Sequence, residues 1–288
     1  MRSLFSHSLW LSSLLLLGCP SGEPVGDDDD DTEAPRPDPP AYSNGTCPEL
    51  EDGFNDGFPS GDDERAFIIE LPDEPEGAPV VFAWHWLGGS AGGIMDQLDF
   101  ASLAEEGAIV VAPVASGNSS FEWEFLSGAN DNPDLQFFED MLSCIDAQWT
   151  VDLDRIYATG MSAGGLFTSF LTVHESQWLA ATAPLSGGVT EDQYVVPARK
   201  LPVLLTWGGP TDFAVGFDFH TANQTFSELL QDDGHFVAEC MHDDGHLPPP
   251  DSPALTWRWF EAHPKGVDPE PYGDGLPDAY PDFCSLPE

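Results

Sequence analysis

Basic residues are scarce in this chain. Only 8 lysines and arginines stand against 51 aspartates and glutamates in 288 residues, which gives a formal net charge of −43. A surface of this sign repels the phosphate backbone of nucleic acids and anionic lipid headgroups. We therefore expect no nucleic-acid partner, and we interpret the acidity as a solvated surface and not as a binding site.

The chain also lacks an apolar run long enough to span a membrane. Its most apolar stretch, residues 9–17, follows Arg2 and precedes a small residue and Cys19. The run is shorter than the about 20 apolar residues that a spanning helix needs. A charged start, a short apolar run and a small residue at its end are typical of an export signal. The sequence Leu-Leu-Gly-Cys at 16–19 resembles the lipobox of bacterial lipoproteins, which implies a signal peptide over residues 1–18 and a lipid anchor on Cys19. Ordinary secretion with cleavage nearby is the alternative.

No two cysteines stand in a C-x-x-C pair, which argues against a zinc site. Apart from Cys19, the chain has Cys47, Cys144, Cys240 and Cys284. An even number in an exported protein favours two disulfides, although four cysteines permit three connectivities. The spacing does not determine the pairing. We expect Cys47 to pair with Cys284, which would join the two chain ends, and Cys144 with Cys240.

Two segments have little apolar surface to bury. Residues 19–45 are rich in proline, glycine and acid and contain an aspartate run at 27–31, which predicts a disordered tether. Calcium binding by that run is disfavoured, because it lacks a turn glycine and spaced ligands. Residues 266–288 are proline-rich without periodicity, which predicts a tail packed on the surface. Residues 46–265, between them, have the length of one domain.

Short apolar runs alternate with amphipathic stretches in the predicted domain. The apolar runs are residues 66–69, 79–84, 108–112, 155–159, 179–185, 201–207 and 235–240. Helix patterns occupy residues 95–106, 135–148, 165–174, 221–232 and 253–262. Strands that are apolar on both faces are typical of a buried parallel sheet. The alternation predicts an α/β fold: a doubly wound, mostly parallel sheet of about eight strands in a three-layer sandwich.

The pattern Gly-x-Ser-x-Gly occurs twice, around Ser90 and around Ser162. It is typical of a serine nucleophile at a sharp turn from a strand to a helix. Ser162 follows the fourth predicted strand, near the centre of the sheet, and a helix pattern begins directly after it. Ser90 follows only the second strand, and no helix pattern begins promptly after it. We therefore predict Ser162 as the nucleophile and place Ser90 in a flexible glycine-rich loop.

A serine nucleophile needs a base, and the base needs an acid that orients it. His246 lies in a loop beyond the last predicted strand, and Asp212 follows the strand at 201–207. Both positions are at carboxyl ends of strands, where ligands of α/β sheets bind. The order Ser162, Asp212, His246 along the chain is that of α/β-hydrolases.

Each of these two roles has an alternative. His242 could be the base, or it could bind a metal together with His246, although Gly245 between them argues against the helix of a zincin. We therefore expect no metal. Asp218 or Asp192 could replace Asp212 as the acid.

An oxyanion hole needs two backbone N–H groups aimed at the substrate carbonyl oxygen. One should belong to Ala163, the residue after the nucleophile. The other should come from the loop His-Trp-Leu-Gly-Gly at 85–89, where glycines allow close approach of the backbone. We name Leu87 as this donor, with Trp86 as the alternative, and we interpret His85 as a packing residue that supports the loop.

Four segments carry a family resemblance: His-Trp-Leu-Gly-Gly at 85–89, Asp-Arg-Ile-Tyr-Ala-Thr-Gly-Met-Ser-Ala-Gly-Gly at 154–165, Trp-Gly-Gly-Pro-Thr-Asp at 207–212 and Gly-His at 245–246. Over residues 66–262 the chain resembles the extracellular polyhydroxybutyrate depolymerase and feruloyl esterase group of α/β-hydrolases. The resemblance implies an eight-stranded core that cleaves carboxylic esters without a cofactor. It implies Ser162 as nucleophile, Asp212 as acid and His246 as base. Trp86 departs from the family pattern, which usually has glycine there.

We therefore expect an exported, monomeric serine esterase that acts on a polyhydroxyalkanoate or on a feruloyl or acetyl ester. It would contact a membrane only through its lipid anchor. A serine peptidase on the same fold is one alternative, and a non-catalytic binding lipoprotein is another. An aromatic set near predicted strand ends fits either an acyl pocket or the core. It consists of Trp84, Trp86, Phe121, Trp123, Phe125 and Trp207.

Overall fold

The computed structural model describes residues 38–126 and 128–287. The predicted signal peptide, Cys19 with its predicted lipid anchor, and most of the predicted tether lie outside the described residues. Within these residues, no helix has the length and apolar character needed to cross a bilayer.

The strands are β1 (Gly53–Ser60), β2 (Asp63–Glu70), β3 (Val80–Trp84), β4 (Ile109–Pro113), β5 (Ile156–Met161), β6 (Ala181–Leu185), β7 (Val203–Trp207), β8 (Phe213–Ala214), β9 (Phe217–Asp218), β10 (Val237–Met241) and β11 (Cys284–Ser285). The helices are α1 (Ala91–Asp96), α2 (Pro133–Trp149), α3 (Ala163–His174), α4 (Phe219–Asp232) and α5 (Ser252–Ala262). Short 3-10 helices occupy Phe100–Ala104 and Gly209–Thr211.

Nine strands form one sheet in the order β1-β2-β4-β3-β5-β6-β7-β10-β11. Six neighbouring strands of this sheet are parallel, namely β4, β3, β5, β6, β7 and β10. Antiparallel pairs extend the sheet at both edges. The predicted doubly wound, mostly parallel sheet is therefore confirmed. The two strands of this sheet that were not predicted, β1 and β11, lie at the edges, where one-sided pairing leaves residues exposed and no apolar run marks the strand. The short strands β8 and β9, also not predicted, form a separate two-stranded sheet.

The sheet separates two hydrophobic cores. In β3, Val80, Phe82 and Trp84 face one core, and Val81 and Ala83 face the other. Apolar residues of α2, α3 and α4 complete the first core, and those of α1 and α5 complete the second. Because both faces of β3 are buried, all five of its residues are apolar. These layers form the predicted three-layer sandwich.

One predicted helix was wrong. Instead of a single helix over residues 95–106, the chain forms α1, then a break, then the 3-10 helix Phe100–Ala104. The break contains Asp99, whose φ of 59° is left-handed and incompatible with a continuous α-helix.

The predicted disulfide pairing was also wrong. Cys47 pairs with Cys144, and Cys240 pairs with Cys284. The first bond joins the N-terminal segment to α2. The second follows from sheet register, because Cys240 in β10 stands opposite Cys284 in β11. Each bond ties one end of the described part of the chain to the domain, and neither bond joins these two ends to each other.

The packed chain begins before residue 46, where the predicted tether was expected to end. The amide N–H and the hydroxyl of Ser43 donate to the two carboxylate oxygens of Asp140 at 2.8 and 2.7 Å. The hydroxyl of Tyr42 donates to the carbonyl oxygen of Pro59 at 2.9 Å. The composition of residues 19–45, which is typical of a linker, does not predict these hydrogen bonds.

Candidate active site

Ser162 lies at the turn between β5 and α3. Its φ of 59° and ψ of −116° are a conformation that L residues rarely adopt. The flanking glycines make the turn possible. A Cβ on Gly160 would lie 2.6 Å from the carbonyl oxygen of Gly164, and one on Gly164 would lie 1.9 Å from that of Trp84. Backbone packing therefore requires both glycines of this pentapeptide.

Three side chains predicted from the sequence come together at this turn. Ser162 Oγ lies 2.7 Å from His246 Nε2, and His246 Nδ1 lies 2.6 Å from Asp212 Oδ1. Asp212 is fully buried, and its Oδ2 accepts hydrogen bonds from the Ser186 hydroxyl at 2.7 Å and from the Gly208 N–H at 2.9 Å. A histidine in this position can take a proton from the serine while the carboxylate fixes its ring.

Sequence reasoning missed two residues that hold this arrangement. Ser186 follows β6 in a left-handed conformation, with φ of 43°, and donates to Asp212. Phe219 stacks on the His246 ring with centroids 4.3 Å apart. The only available signal for Ser186 was its position after a predicted strand and before two glycines. For Phe219 there was none.

In the loop at 85–89, two contacts fix the orientation of the peptide between Trp86 and Leu87. The carbonyl oxygen of Trp86 accepts from Gly89 N–H at 2.8 Å and lies 2.9 Å from His85 Nδ1, so it points into the loop. In a trans peptide, N–H and C=O point in opposite directions, which turns the Leu87 N–H away from the loop. Ala163 is the first residue of α3, where N–H groups have no partner inside the helix.

A neighbouring segment supports this loop. Trp123 Nε1 donates to the carbonyl oxygen of His85 at 2.8 Å, and Gly88 N–H donates to the Glu122 carboxylate at 2.9 Å. Burial lowers the pKa of His85, against the opposing effect of its hydrogen bond to Trp86. A buried, neutral imidazole bonded to its own loop fits the support role that we predicted for His85.

The alternative base and acids lie elsewhere. The ring of His242 accepts from the Asp244 N–H at 3.2 Å and packs near Phe283, and burial lowers its pKa. The carboxylate of Asp218 caps α4, and Asp192 is exposed. Across residues 38–126 and 128–287, no group of three or more His, Cys, Asp or Glu side chains is arranged to hold a metal ion.

The second serine has a structural position. Ser90 is the N-cap of α1, and its hydroxyl accepts from the Gly93 N–H at 3.0 Å. Our expectation that no helix begins directly after Ser90 was wrong, because glycines at the start of α1 hide the helix pattern. The ring of Trp86 packs over this segment: a Cβ on Gly89 would lie 2.9 Å from it, and one on Gly93 would lie 3.2 Å away.

Two cavities meet at Ser162 and share Leu87 and Val215 in their walls. The first cavity, of about 480 Å³, is mostly apolar, and its lining includes Phe121, Phe125, Leu126, Phe170, Phe217 and Phe219. The second cavity, of about 490 Å³, includes Trp86, Gln97, Leu98, His246, Leu247 and Pro248. Of the predicted aromatic set, Phe121, Phe125 and Trp86 therefore line a cavity, whereas Trp84, Trp123 and Trp207 are buried in the core.

Comparisons with known proteins agree with this architecture. Residues 94–190 match the prolyl oligopeptidase family. The chain is 24% identical over 315 residues to an oxidized polyvinyl alcohol hydrolase of Sphingopyxis sp. (strain 113P3), covering 81% of this chain and 85% of the relative. It is 30% identical over 149 residues to feruloyl esterase B of Piromyces equi, covering 49% of this chain and 28% of the relative. The crystal structure of native pOPH superimposes with a TM-score of 0.69 at 23% identity, covering 84% of this chain and 98% of that one.

The structural neighbour has the same fold, and the segment that matches the prolyl oligopeptidase family contains Ser162. The chain therefore has the α/β-hydrolase fold and is a carboxylic ester hydrolase.

Proposed function

We propose that this protein is an exported serine esterase in which Ser162, His246 and Asp212 form the catalytic triad. The observation that carries the proposal is the continuous line of contacts, 2.7 Å from Ser162 to His246 and 2.6 Å from His246 to the buried Asp212. The strained backbone at Ser162 supports the same role, because such strain concentrates at functional sites.

In the first half-reaction, Ser162 Oγ attacks the ester carbonyl carbon while His246 Nε2 takes the serine proton. The carbonyl oxygen becomes an oxyanion, which the N–H groups of Leu87 and Ala163 stabilise. Losing one such donor typically costs about 3 kcal/mol of transition-state stabilisation. Protonated His246 then gives its proton to the leaving oxygen as the C–O bond breaks. This step releases the alcohol and leaves an acyl group on Ser162.

In the second half-reaction, water attacks the acyl carbon and His246 takes a proton from that water. Collapse of the new oxyanion breaks the bond to Ser162, and His246 returns the proton to Oγ. The carboxylic acid leaves and the enzyme is restored. Asp212 keeps the ring in its working orientation throughout, held by the Ser186 hydroxyl and the Gly208 N–H.

The substrate that we propose is a polyhydroxyalkanoate or a feruloyl or acetyl ester. The mostly apolar first cavity, with its five phenylalanines, and the similarity to feruloyl esterase B support an apolar acyl group. The similarity to oxidized polyvinyl alcohol hydrolases supports a polymeric substrate. The family that this chain resembles usually has glycine at the position of Trp86. The Trp86 side chain lines the second cavity, so we expect it to affect which of these esters fits there.

Export and lipid anchoring are part of the proposal. The disulfides Cys47–Cys144 and Cys240–Cys284 are typical of an oxidising compartment. We expect Cys19→Ser to lose membrane association on cell fractionation. Wild-type protein found only in the soluble fraction would contradict the anchor.

A serine peptidase is the second candidate, because the match to the prolyl oligopeptidase family spans the turn at Ser162. A substrate panel separates the two: p-nitrophenyl esters, a feruloyl ester, a polyhydroxybutyrate film and a peptide amide. We expect ester turnover and no amide turnover. A fluorophosphonate probe should inhibit the enzyme and label Ser162 in peptide mapping. Labelling of another serine, or undiminished turnover by the labelled protein, would refute the triad.

A further inference from the structure

The two cavities at Ser162 differ in their access to the proton donor. His246 lines the second cavity, with Leu247 and Pro248 beside it, and it is not among the residues that line the first. In ester cleavage, protonated His246 must deliver its proton to the leaving oxygen, which therefore has to lie on the His246 side. The acyl group, bonded to the same carbonyl carbon, must extend the other way.

We propose that the second cavity binds the alcohol part of a neutral ester, that the first cavity binds its acyl part, and that Val215 is the wall between them. This assignment rests on the proposed function. It makes the substrate an ester with an apolar group on each side. Neither cavity has a lysine or arginine among its described lining residues to pair with a carboxylate, and the net charge of −43 repels one.

Val215 has a backbone conformation that valine rarely adopts. It forms the tip of the hairpin β8–β9 and has φ of 48°, with φ of 82° at Gly216. Tight hairpin turns with positive φ favour asparagine or glycine, and a β-branched residue there is an outlier. Val215 is nevertheless 72% exposed to solvent and lines both cavities. The backbone strain at Val215 is not offset by burial of its side chain in the core. Contact of the side chain with the substrate explains why an apolar residue stands there.

The hairpin is anchored at the reacting groups. It starts immediately after Asp212, and the Phe219 N–H donates to the carbonyl oxygen of Asp212 at 3.1 Å, which closes the base of the hairpin. Phe219 in turn stacks on His246. The position of Val215 is therefore fixed relative to the acid and the base, as a dividing wall has to be.

Two leucines give a matched test of the assignment. Leu126 lines only the first cavity and Leu247 only the second, and each is 61% exposed, so neither alanine variant should perturb folding. One substrate series varies the acyl chain from acetyl to hexanoyl on p-nitrophenol. The other varies the alcohol from methyl to hexyl on one acid. Each methylene bound in a cavity should raise kcat/KM about three- to fourfold.

We expect Leu126→Ala to lower kcat/KM about fivefold for the longest acyl chain and to leave the chain-length dependence of the alcohol series unchanged. Leu247→Ala should show the reverse. If Leu126→Ala changes the chain-length dependence of only the alcohol series, or if both variants leave both dependences unchanged, the assignment is overturned. A succinate monoester should be hydrolysed at least about tenfold more slowly than the butyrate ester of the same alcohol, and equal rates would refute the neutral-substrate claim.

Val215→Asn tests the wall, because asparagine tolerates positive φ and lacks the branched apolar surface. We expect a higher Tm together with weaker discrimination of chain length in both series. A lower Tm with unchanged discrimination would give Val215 a structural role only. Ser162→Ala separates this inference from the proposed function: persistent ester turnover in that variant refutes the triad, whereas lost turnover with unchanged selectivity in the leucine and valine variants refutes only the cavity assignment.

Discussion

The two Gly-x-Ser-x-Gly segments of this chain have the same pattern and different structures. Around Ser162 the chain passes from the central strand β5 through a strained residue into α3, with no room for a side chain on Gly160 or Gly164. Around Ser90 the serine is extended, at φ of −156°, and caps the six-residue helix α1. Its hydroxyl bonds to its own helix, whereas that of Ser162 bonds to a histidine 84 residues away.

The glycines show what makes the difference. A Cβ on Gly164 would lie 1.9 Å from a backbone oxygen, whereas one on Gly92, the corresponding glycine near Ser90, would meet only the flexible Asp96 side chain at 4.0 Å. The pattern forms a sharp turn with a strained serine where a strand, a helix and a neighbouring strand approach closely. The same pattern forms a helix cap where the backbone has space around it.

The largest expected effect separates the two serines. Ser162→Ala should lower kcat for a p-nitrophenyl ester by roughly 10³-fold or more, because the nucleophile is lost. Ser90→Ala should keep kcat within about twofold, because its hydroxyl contacts only α1. Steady-state assays of both purified variants, with folding checked by circular dichroism, test this. Comparable losses in the two variants would break the comparison.

The second effect separates the two glycines. Gly164→Ala should destabilise the protein by about 3 kcal/mol or more, because the new Cβ clashes with the backbone of Trp84. Gly92→Ala places alanine in a helix with free space and should stabilise by up to about 0.5 kcal/mol. Urea unfolding of both variants measures the difference. Equal stabilities would mean that the turn at Ser162 relaxes freely.

The two helices that follow the serines also end differently, on the buried Glu175 for α3 and on the exposed Gln97 for α1. Burial, with help from Glu139, raises the pKa of Glu175 from 4.5 to about 8. The folded state therefore binds a proton that the unfolded state releases, so the free energy of unfolding should fall as pH rises from about 4.5 to about 8.

Glu175→Gln should remove this fall, and its unfolding free energy should exceed that of the wild type most clearly above pH 8. Gln97→Glu is the matched control, because an exposed carboxylate at the end of α1 adds little pH dependence. Urea midpoints measured from acid to alkaline pH test both variants. A wild-type stability that rises across this range, with no change in Glu175→Gln, would contradict the buried carboxyl.

The smallest effect concerns the N-cap. Ser90→Ala should cost about 1 kcal/mol, which corresponds to a Tm lower by about 2–4 °C, because the Gly93 N–H loses its acceptor. Ser90→Asp should restore most of the loss, since aspartate is an equally good cap. Differential scanning calorimetry measures these shifts. An alanine variant as stable as the wild type would show that the cap contributes nothing.

The strands β3 to β7 could be predicted because both of their faces are buried, and β2 and β10 because each contains a short apolar run. The edge strands could not, because β1 is half exposed and β11 has only two residues. The cysteine pairing failed for a related reason. It depends on which segments lie side by side, and spacing along the chain carries no information about that. Val215 and Ser186 were also missed, since their importance lies in backbone conformation and contacts and not in any motif.

The sequence by itself determined the α/β alternation and the order of a serine, an aspartate and a histidine at strand ends, because these depend on local periodicity and position along the chain. Only the tertiary structure decided that Asp212 and His246 converge on Ser162, while Ser90 caps a helix and His242 turns away. It also decided that two cavities meet at Ser162 and share Val215 in their walls. Such contacts join residues far apart in the chain, and they exist only once the sheet aligns its strand ends along one edge.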